Sequence, residues 1–211
     1  MYKDFIWDVD GTLLDTYPSI RKIYERILFD EMHLENIDLD KVFEQILNEC
    51  SSKAIAKMHE VFGLDEDAFK KRYKELEEDP EYIKCVLPME TSVEACKKIK
   101  EAGGRNFIIT NRHESIMDML DNLNIKDLFT EVVYIGYKGM DKIKPDPTGT
   151  KYLIDKYNLD KETTLFVGDR ELDYYTAENA GLYTCIYKPR KTNTVIPKYT
   201  IESFDEIEKF L

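Results

Sequence analysis

Histidine, cysteine and glycine are scarce in this chain, with 3 His, 4 Cys and 9 Gly among 211 residues. His33, His59 and His113 share no H-E-x-x-H spacing, and Cys50, Cys85, Cys96 and Cys185 never form a C-x-x-C pair. That excludes a zinc centre and a dithiol redox motif, and leaves the cysteines as reduced structural thiols. No apolar run approaches the roughly 20 residues that span a bilayer, so no membrane segment is expected. The opening "MYKDFIWDVDG" enters a strand pattern at once, without a signal peptide's apolar stretch and small-residue cleavage site. A cytoplasmic location is expected. Positive charge is short as well: 30 Lys and Arg against 42 Asp and Glu give a formal charge of −12. Such a balance opposes nucleic-acid phosphates, so no nucleic-acid partner is expected, and an anionic small molecule must be met by a local positive site.

What is present is a change of grain along the chain. Short β-rich runs recur at "DFIWD", "RNFIIT", "EVVYI", "TTLFVGD" and "LYTCIY", with helical patterns between the later ones. This alternation predicts an α/β fold: a Rossmann-like, mostly parallel sheet flanked by helices. After Thr16 the strand signal vanishes. Ile20, Ile23, Tyr24, Ile27 and Leu28 fall at helical spacing, followed by Val42, Ile46 and Leu47, then Met58, Val61 and Phe62, then Phe69, Tyr73 and Leu76. The expected organisation is a core of residues 1–16 and 85–211, interrupted by an all-helical insertion over 17–84.

The first strand ends in "FIWDVDGTLLDT", which places Asp8 and Asp10 two positions apart before Gly11. In open parallel sheets ligands collect beyond the carboxyl ends of strands, so both acids would stand at a site. A calcium loop with Gly11 at its sixth position would put Ile6 first and Tyr17 twelfth, which fails at both ends. A D-G hairpin turn would need a second strand directly afterwards, where "TLLDTYPSIRKIYERIL" reads as helix. Three later strand ends carry Thr110 and Asn111, then Lys144 in "KPDP", then "GDRELD" with Asp169 and Asp173. Each has an ordinary explanation as a turn or a cap, but four in this order point to phosphoryl chemistry.

On these residues the chain resembles the haloacid dehalogenase-like phosphohydrolase superfamily over nearly its whole length. Asp8-Val9-Asp10-Gly11-Thr12 matches the first motif, Thr110-Asn111 the second, Lys144 before a proline the third, and Gly168-Asp169 with Asp173 the fourth. The flanking "DTYP", "KPDP" and "AENAG" are similar to the phosphoglycolate phosphatase and β-phosphoglucomutase branch, whose helical cap follows the first motif. "LPMETS" departs from the proline-glycine turn usual at the second cap hinge. The resemblance implies an Mg²⁺-dependent phosphatase acting on a small-molecule phosphate ester. Asp8 would be the nucleophile, Asp10 the proton shuttle and Lys144 the neutralising cation. Asp8, the Asp10 carbonyl, Asp169 and Asp173 would hold the metal.

Residue chemistry supports these roles. A phosphate dianion repels a carboxylate nucleophile, so attack needs positive charge and N–H donors to mask it. A second acid beside the first can protonate the leaving alcohol and later activate water. Gly11 permits a sharp turn, Thr12 can restrain the loop, and Thr110, Asn111 and Arg112 are candidates to fix the phosphate. Within the insertion, "ECSSKA" offers Ser51 and Ser52 as N-caps and Lys53 as a substrate contact. The alternatives are a phosphosugar mutase, a dehalogenase, and a non-catalytic phospho-aspartate signalling or interaction module. Substrate identity and oligomeric state are not expressed in the sequence.

Overall fold

The structure is a computed structural model that describes residues 1–48, 51–189 and 194–211; the side chains of residues 48 and 51–53 lie outside this description. The chain divides into two compact units, Met1–Asp15 with Leu87–Leu211, and Thr16–Val86.

The first unit contains strands β1 (Asp4–Trp7), β2 (Leu14–Asp15), β3 (Leu87–Pro88), β4 (Arg105–Ile109), β5 (Glu131–Val133), β6 (Thr164–Gly168), β7 (Tyr183–Tyr187) and β8 (Tyr199–Ile201). Six of them form one sheet in the order β5-β4-β1-β6-β7-β8, and every pairing within it is parallel. β1 is central and buried along its length, which its unbroken apolar run foreshadows. On leaving β1 the order runs one way through β4 to β5, then returns to β1's other side with β6. The topological switch point therefore lies at the carboxyl end of β1, where such sheets hold ligands.

Alternation along the strands sorts the core. Ile6, Phe107 and Phe166 pack with Leu153 and Ile154 of the helix Thr148–Tyr157, and with Ala177 and Ala180 of the helix Glu171–Ala180. The neighbouring Trp7 instead packs against Phe204, with ring centroids 5.6 Å apart. Fully burying one such side chain stabilises the fold by roughly 1.5–3 kcal/mol. The polar Asn106 is tolerated inside β4 because Trp7 Nε1 donates to its Oδ1 at 3.0 Å and its Nδ2 donates to the Cys96 carbonyl at 2.9 Å. β2 and β3 form a separate antiparallel pair, Leu14 opposite Pro88 and Asp15 opposite Leu87. "LPMETS" thus supplies a paired strand, and Ser92 Oγ donates to the Leu13 carbonyl at 2.8 Å.

The second unit is helical: Tyr17–Glu25 continuing into a π-helical turn Arg26–Glu31, then Leu39–Asn48, Ser51–Phe62, Glu66–Glu77 and the short Pro80–Ile83. Its core centres on Tyr24, whose ring meets Phe43, Phe69 and Tyr73 at centroid distances of 5.8, 5.0 and 5.7 Å. Asp65 caps Glu66–Glu77 by accepting from Asp67 N and Ala68 N. The helical spacing places Val61 and Phe62 on the buried face, yet both are exposed, while Phe43 is buried instead. The helix Ser51–Phe62 meets the core through Ala54, Ile55 and Met58, and the chain rejoins that core at Leu64, so Val61 and Phe62 lie outside it.

The strand expectations shift in two places. "EVVYI" forms only a three-residue strand, because Tyr134 onward enters a turn in which Gly136 N bonds to the Met140 carbonyl. β8 adds a sixth strand where the sequence has only three extended residues, Tyr199–Ile201.

Candidate active site

Backbone hydrogen bonds place the two acids at the end of β1. Asp8 N donates to the Val167 carbonyl at 2.9 Å, extending the ladder one residue past the strand. The chain then turns: Thr12 N and Leu14 N both bond to the Val9 carbonyl, and Gly11 N bonds to the Leu14 carbonyl. Gly11 makes this turn with φ +79°, a conformation that a Cβ would strain. Thr12, wholly buried, directs Oγ1 toward Asp8 Oδ2 at 3.4 Å.

Asp8, Asp169 and Asp173 are all buried, and each offers one carboxylate oxygen within 4.8 Å of the others. Asp173 is held by its own helix start, where its Oδ2 accepts from Asp169 N at 3.2 Å and Arg170 N at 3.1 Å. Gly168 makes room for it, since a Cβ there would lie 2.3 Å from Asp173 Cβ. Lys144 Nζ donates to Asp8 Oδ1 and, at 2.6 Å, to Asp173 Oδ1. Burial and the neighbouring Asp173, against the opposing pull of Lys144, push the Asp8 carboxyl up to about 7. Burial alone would favour neutral Lys144, but Asp173 and Asp8 outweigh it and hold the ammonium firmly charged.

Three buried carboxylates converge here beside the Lys144 ammonium, with the Arg170 guanidinium 3.8 Å from Asp169 at the edge, and their oxygens lie at a distance set that suits a small, hard cation. Oxygen-only donors fit Mg²⁺ or a similar ion rather than a thiophilic metal. The residues present therefore fit the group that the family resemblance implies.

Of the remaining candidates, those in the first unit stand on the loop after β4. Thr110 is buried at the end of β4, its N bonded to the Val133 carbonyl at 3.0 Å. Asn111 turns toward the Lys144 backbone: Lys144 N donates to its Oδ1 at 2.7 Å, and its Nδ2 donates to the Lys144 carbonyl at 3.4 Å. Arg112 points its guanidinium at Asp10, with Nη2 2.7 Å from Oδ1. Asp10 is the most open of the acids, about a third exposed, at 32%. Lys53 falls where side chains are outside the described residues. Asn179, within "AENAG", went unread as a site residue; its Nδ2 donates to the Pro145 carbonyl at 3.0 Å and so steadies the segment that carries Lys144. Its signal was its place in that flanking motif.

Comparison with known proteins identifies the family and the fold. The family model for "Haloacid dehalogenase-like hydrolase" matches residues 5–187. The phosphoglycolate phosphatase of Cereibacter sphaeroides (strain ATCC 17025 / ATH 2.4.3) is 29% identical over 191 residues, covering 86% of this chain and 83% of its own. A predicted phosphoglycolate phosphatase from Haemophilus somnus 129pt has a TM-score of 0.79 at 24% identity, covering 99% of this chain and 97% of that one. A HAD-superfamily hydrolase of subfamily IA from Geobacter sulfurreducens PCA has a TM-score of 0.77 at 22% identity, with 100% and 96% covered. At those identities the two structures establish the shared fold. The family match spans four strand-end motifs that converge on one buried acidic cluster, and the chain belongs to the haloacid dehalogenase-like hydrolase family.

Proposed function

We propose that this protein is a phosphatase that hydrolyses a small-molecule phosphomonoester through a phosphoryl intermediate on Asp8. The observation that carries the reading is Lys144, a buried ammonium in contact with both Asp8 and Asp173 at the switch point of the sheet. A carboxylate attacks a phosphate dianion only where their repulsion is masked, and this cation is built into the site for that purpose.

Asp8 attacks phosphorus as the bond to the ester oxygen breaks, and Asp10 gives that oxygen a proton. Asp10, now a carboxylate, takes a proton from water as the water attacks the phosphoryl group on Asp8, releasing inorganic phosphate and restoring both acids. Thr12 restrains Asp8, while the Thr110 hydroxyl and backbone amides around Asn111 hold phosphoryl oxygens. The carboxylates of Asp8, Asp169 and Asp173 and the Asp10 carbonyl would hold Mg²⁺, which supplies charge neutralisation for the nucleophile and the phosphoryl oxygens when bound.

The helical unit serves as the cap that selects the substrate, with Lys53 a candidate contact. The printed name of the Cereibacter relative makes phosphoglycolate the first ester to try. The three described cysteines, Cys85, Cys96 and Cys185, are free thiols, which supports a reducing cytoplasmic setting. Among the described residues no helix is long and apolar enough to cross a membrane. The deciding experiment is release of inorganic phosphate from phosphoglycolate, sugar phosphates, nucleotides and pyrophosphate, with Mg²⁺ and with chelator. Mg²⁺-dependent release that disappears in folded Asp8→Asn is expected; turnover unaffected by that substitution would overturn the aspartyl-phosphate route.

A further inference from the structure

Arg112 follows the Thr110-Asn111 pair, where a cation is read most simply as a phosphate ligand. Its side chain is 5% exposed and engages Asp10. Nε lies 2.8 Å from Asp10 Oδ1 and 3.1 Å from Oδ2, and Nη2 lies 2.7 Å from Oδ1. Two guanidinium nitrogens on one carboxylate fix its plane and direction as well as attracting its charge. The arginine is itself anchored: its N donates to Thr110 Oγ1 at 3.1 Å, and its carbonyl accepts from Ile135 N at 2.8 Å.

Asp10 needs such a partner. It sits just before the turn at Gly11 and is the most open acid of the site, with two side-chain torsions whose setting decides where its carboxyl points. Proton transfer to a leaving oxygen demands placement within hydrogen-bond reach, and an error of about 1 Å can cost 10²-fold. Resting on the phosphatase reading, we infer that Arg112 is the positioning residue of Asp10: it sets the orientation in which that carboxyl meets the leaving-group oxygen. A lysine in its place would attract the carboxylate as a point charge without fixing its plane.

The test compares an alkyl phosphate, whose leaving oxygen needs a proton, with an activated aryl phosphate, whose leaving oxygen needs little help. Arg112→Met keeps the apolar stem and removes the fork. In single-turnover loss of substrate it is expected to slow the alkyl ester about 10²-fold and the aryl ester less than about 3-fold. KM for both esters and inhibition by inorganic phosphate should stay within about 3-fold, and Arg112→Lys should fall between the two proteins. In an Asp10→Asn background, Arg112→Met should add less than about 3-fold, because the group it positions is already disabled. If Arg112→Met does not fold, Arg112→Lys carries the same comparison. A rise of about 10-fold or more in KM and in the phosphate inhibition constant for both esters would make Arg112 a phosphate ligand and overturn the inference. Equal slowing of both esters would reduce it to a structural prop. A wild-type protein that hydrolyses no phosphomonoester would overturn the proposed function and this inference together; an active one with losses independent of leaving group overturns the inference alone.

Discussion

Lys144 Nζ and Asp173 Oδ1 meet at 2.6 Å with both side chains almost wholly shielded from water, 4% and 1% exposed. The two residues come from different connections of the sheet, Lys144 from the loop between β5 and the helix Thr148–Tyr157, and Asp173 from the first turn of the helix after β6. Each is fixed from behind: Asn111 brackets the Lys144 backbone, and two amides hold Asp173 Oδ2. The contact is therefore set by the sheet rather than by two flexible side chains finding one another.

Removing the cation should expose what it compensates. Lys144→Met keeps most of the volume but leaves Asp8 and Asp173 facing each other unneutralised. Breaking a buried pair by deleting one partner costs about 3–5 kcal/mol, and we predict a loss of that order in urea unfolding with chelator present. Turnover should disappear in parallel. A folded Lys144→Met protein with wild-type stability and rate would contradict the role given to this ammonium.

A pH signature follows from Asp8. Burial, then Asp173, lifts its carboxyl from the ordinary 3.8 to about 7. The folded protein thus keeps this proton to higher pH than the unfolded chain does. The corresponding stability is full below about pH 4 and is lost as pH rises through about 7. Metal-free wild-type protein is expected to weaken across that window, and Asp8→Asn, which carries no titrating group there, should show a flatter profile. Identical slopes in the two proteins would reject the assignment.

The acids and the Thr110-Asn111 pair were legible in the sequence because they follow closely on apolar strands, where parallel sheets expose their ends, whereas Lys144 stands well beyond β5 and was legible only through its "KPDP" context. Which partner each residue takes was not. Asp10 and Arg112 are 102 positions apart, and their pairing depends on β4 lying beside β1, a neighbour relation that spacing does not encode. Nor does the sequence say that the Asn111 side chain brackets the Lys144 backbone, 33 positions away. In the helical unit, periodicity gave the helices but misread Val61 and Phe62, which are exposed while Leu64 directly after the helix is buried in the core. β8 was missed because three residues are too few for alternation to register.

Away from the site, Glu131 begins β5 as a buried carboxylate that accepts from Tyr152 at 2.8 Å, Lys156 at 2.7 Å and Tyr137. Burial alone would raise its pKa, but Lys156, Tyr137, Tyr157 and Tyr152 together depress it from 4.5 to about 2. A depressed carboxylate contributes stability above its unfolded pKa and loses it as pH falls toward the folded one. The contribution here is about 3 kcal/mol, present at neutral pH and fading between about pH 5 and 2. Wild type should therefore exceed Glu131→Gln in unfolding free energy at pH 7, with the gap closing on acidification. A gap that stays constant with pH would mean the network does not hold the charged form.

Gly168 gives the most local test of the acidic cluster. It ends β6, and a Cβ at this position would stand 2.3 Å from Asp173 Cβ and 2.4 Å from its carboxylate. Neither side of that clash is the free end of a long side chain, because Asp173 is pinned by Lys144 Nζ and by the amides of Asp169 and Arg170. Gly168→Ala must therefore push the first turn of its helix away from the strand, carrying Asp173 out of the set it forms with Asp8 and Asp169. Overpacking of this kind costs about 1–3 kcal/mol of stability. The effect on cation binding should be larger, since one of three carboxylates is displaced while the others keep their places. We predict that Mg²⁺ raises the melting temperature of the wild-type protein in proportion to its occupancy, and that Gly168→Ala abolishes most of this increment while remaining folded at 25 °C. Thermal unfolding over an Mg²⁺ titration measures both quantities at once. A variant that keeps the full Mg²⁺-dependent increment would show that Asp173 does not help to hold the cation, and would leave it solely as the partner that orients Lys144.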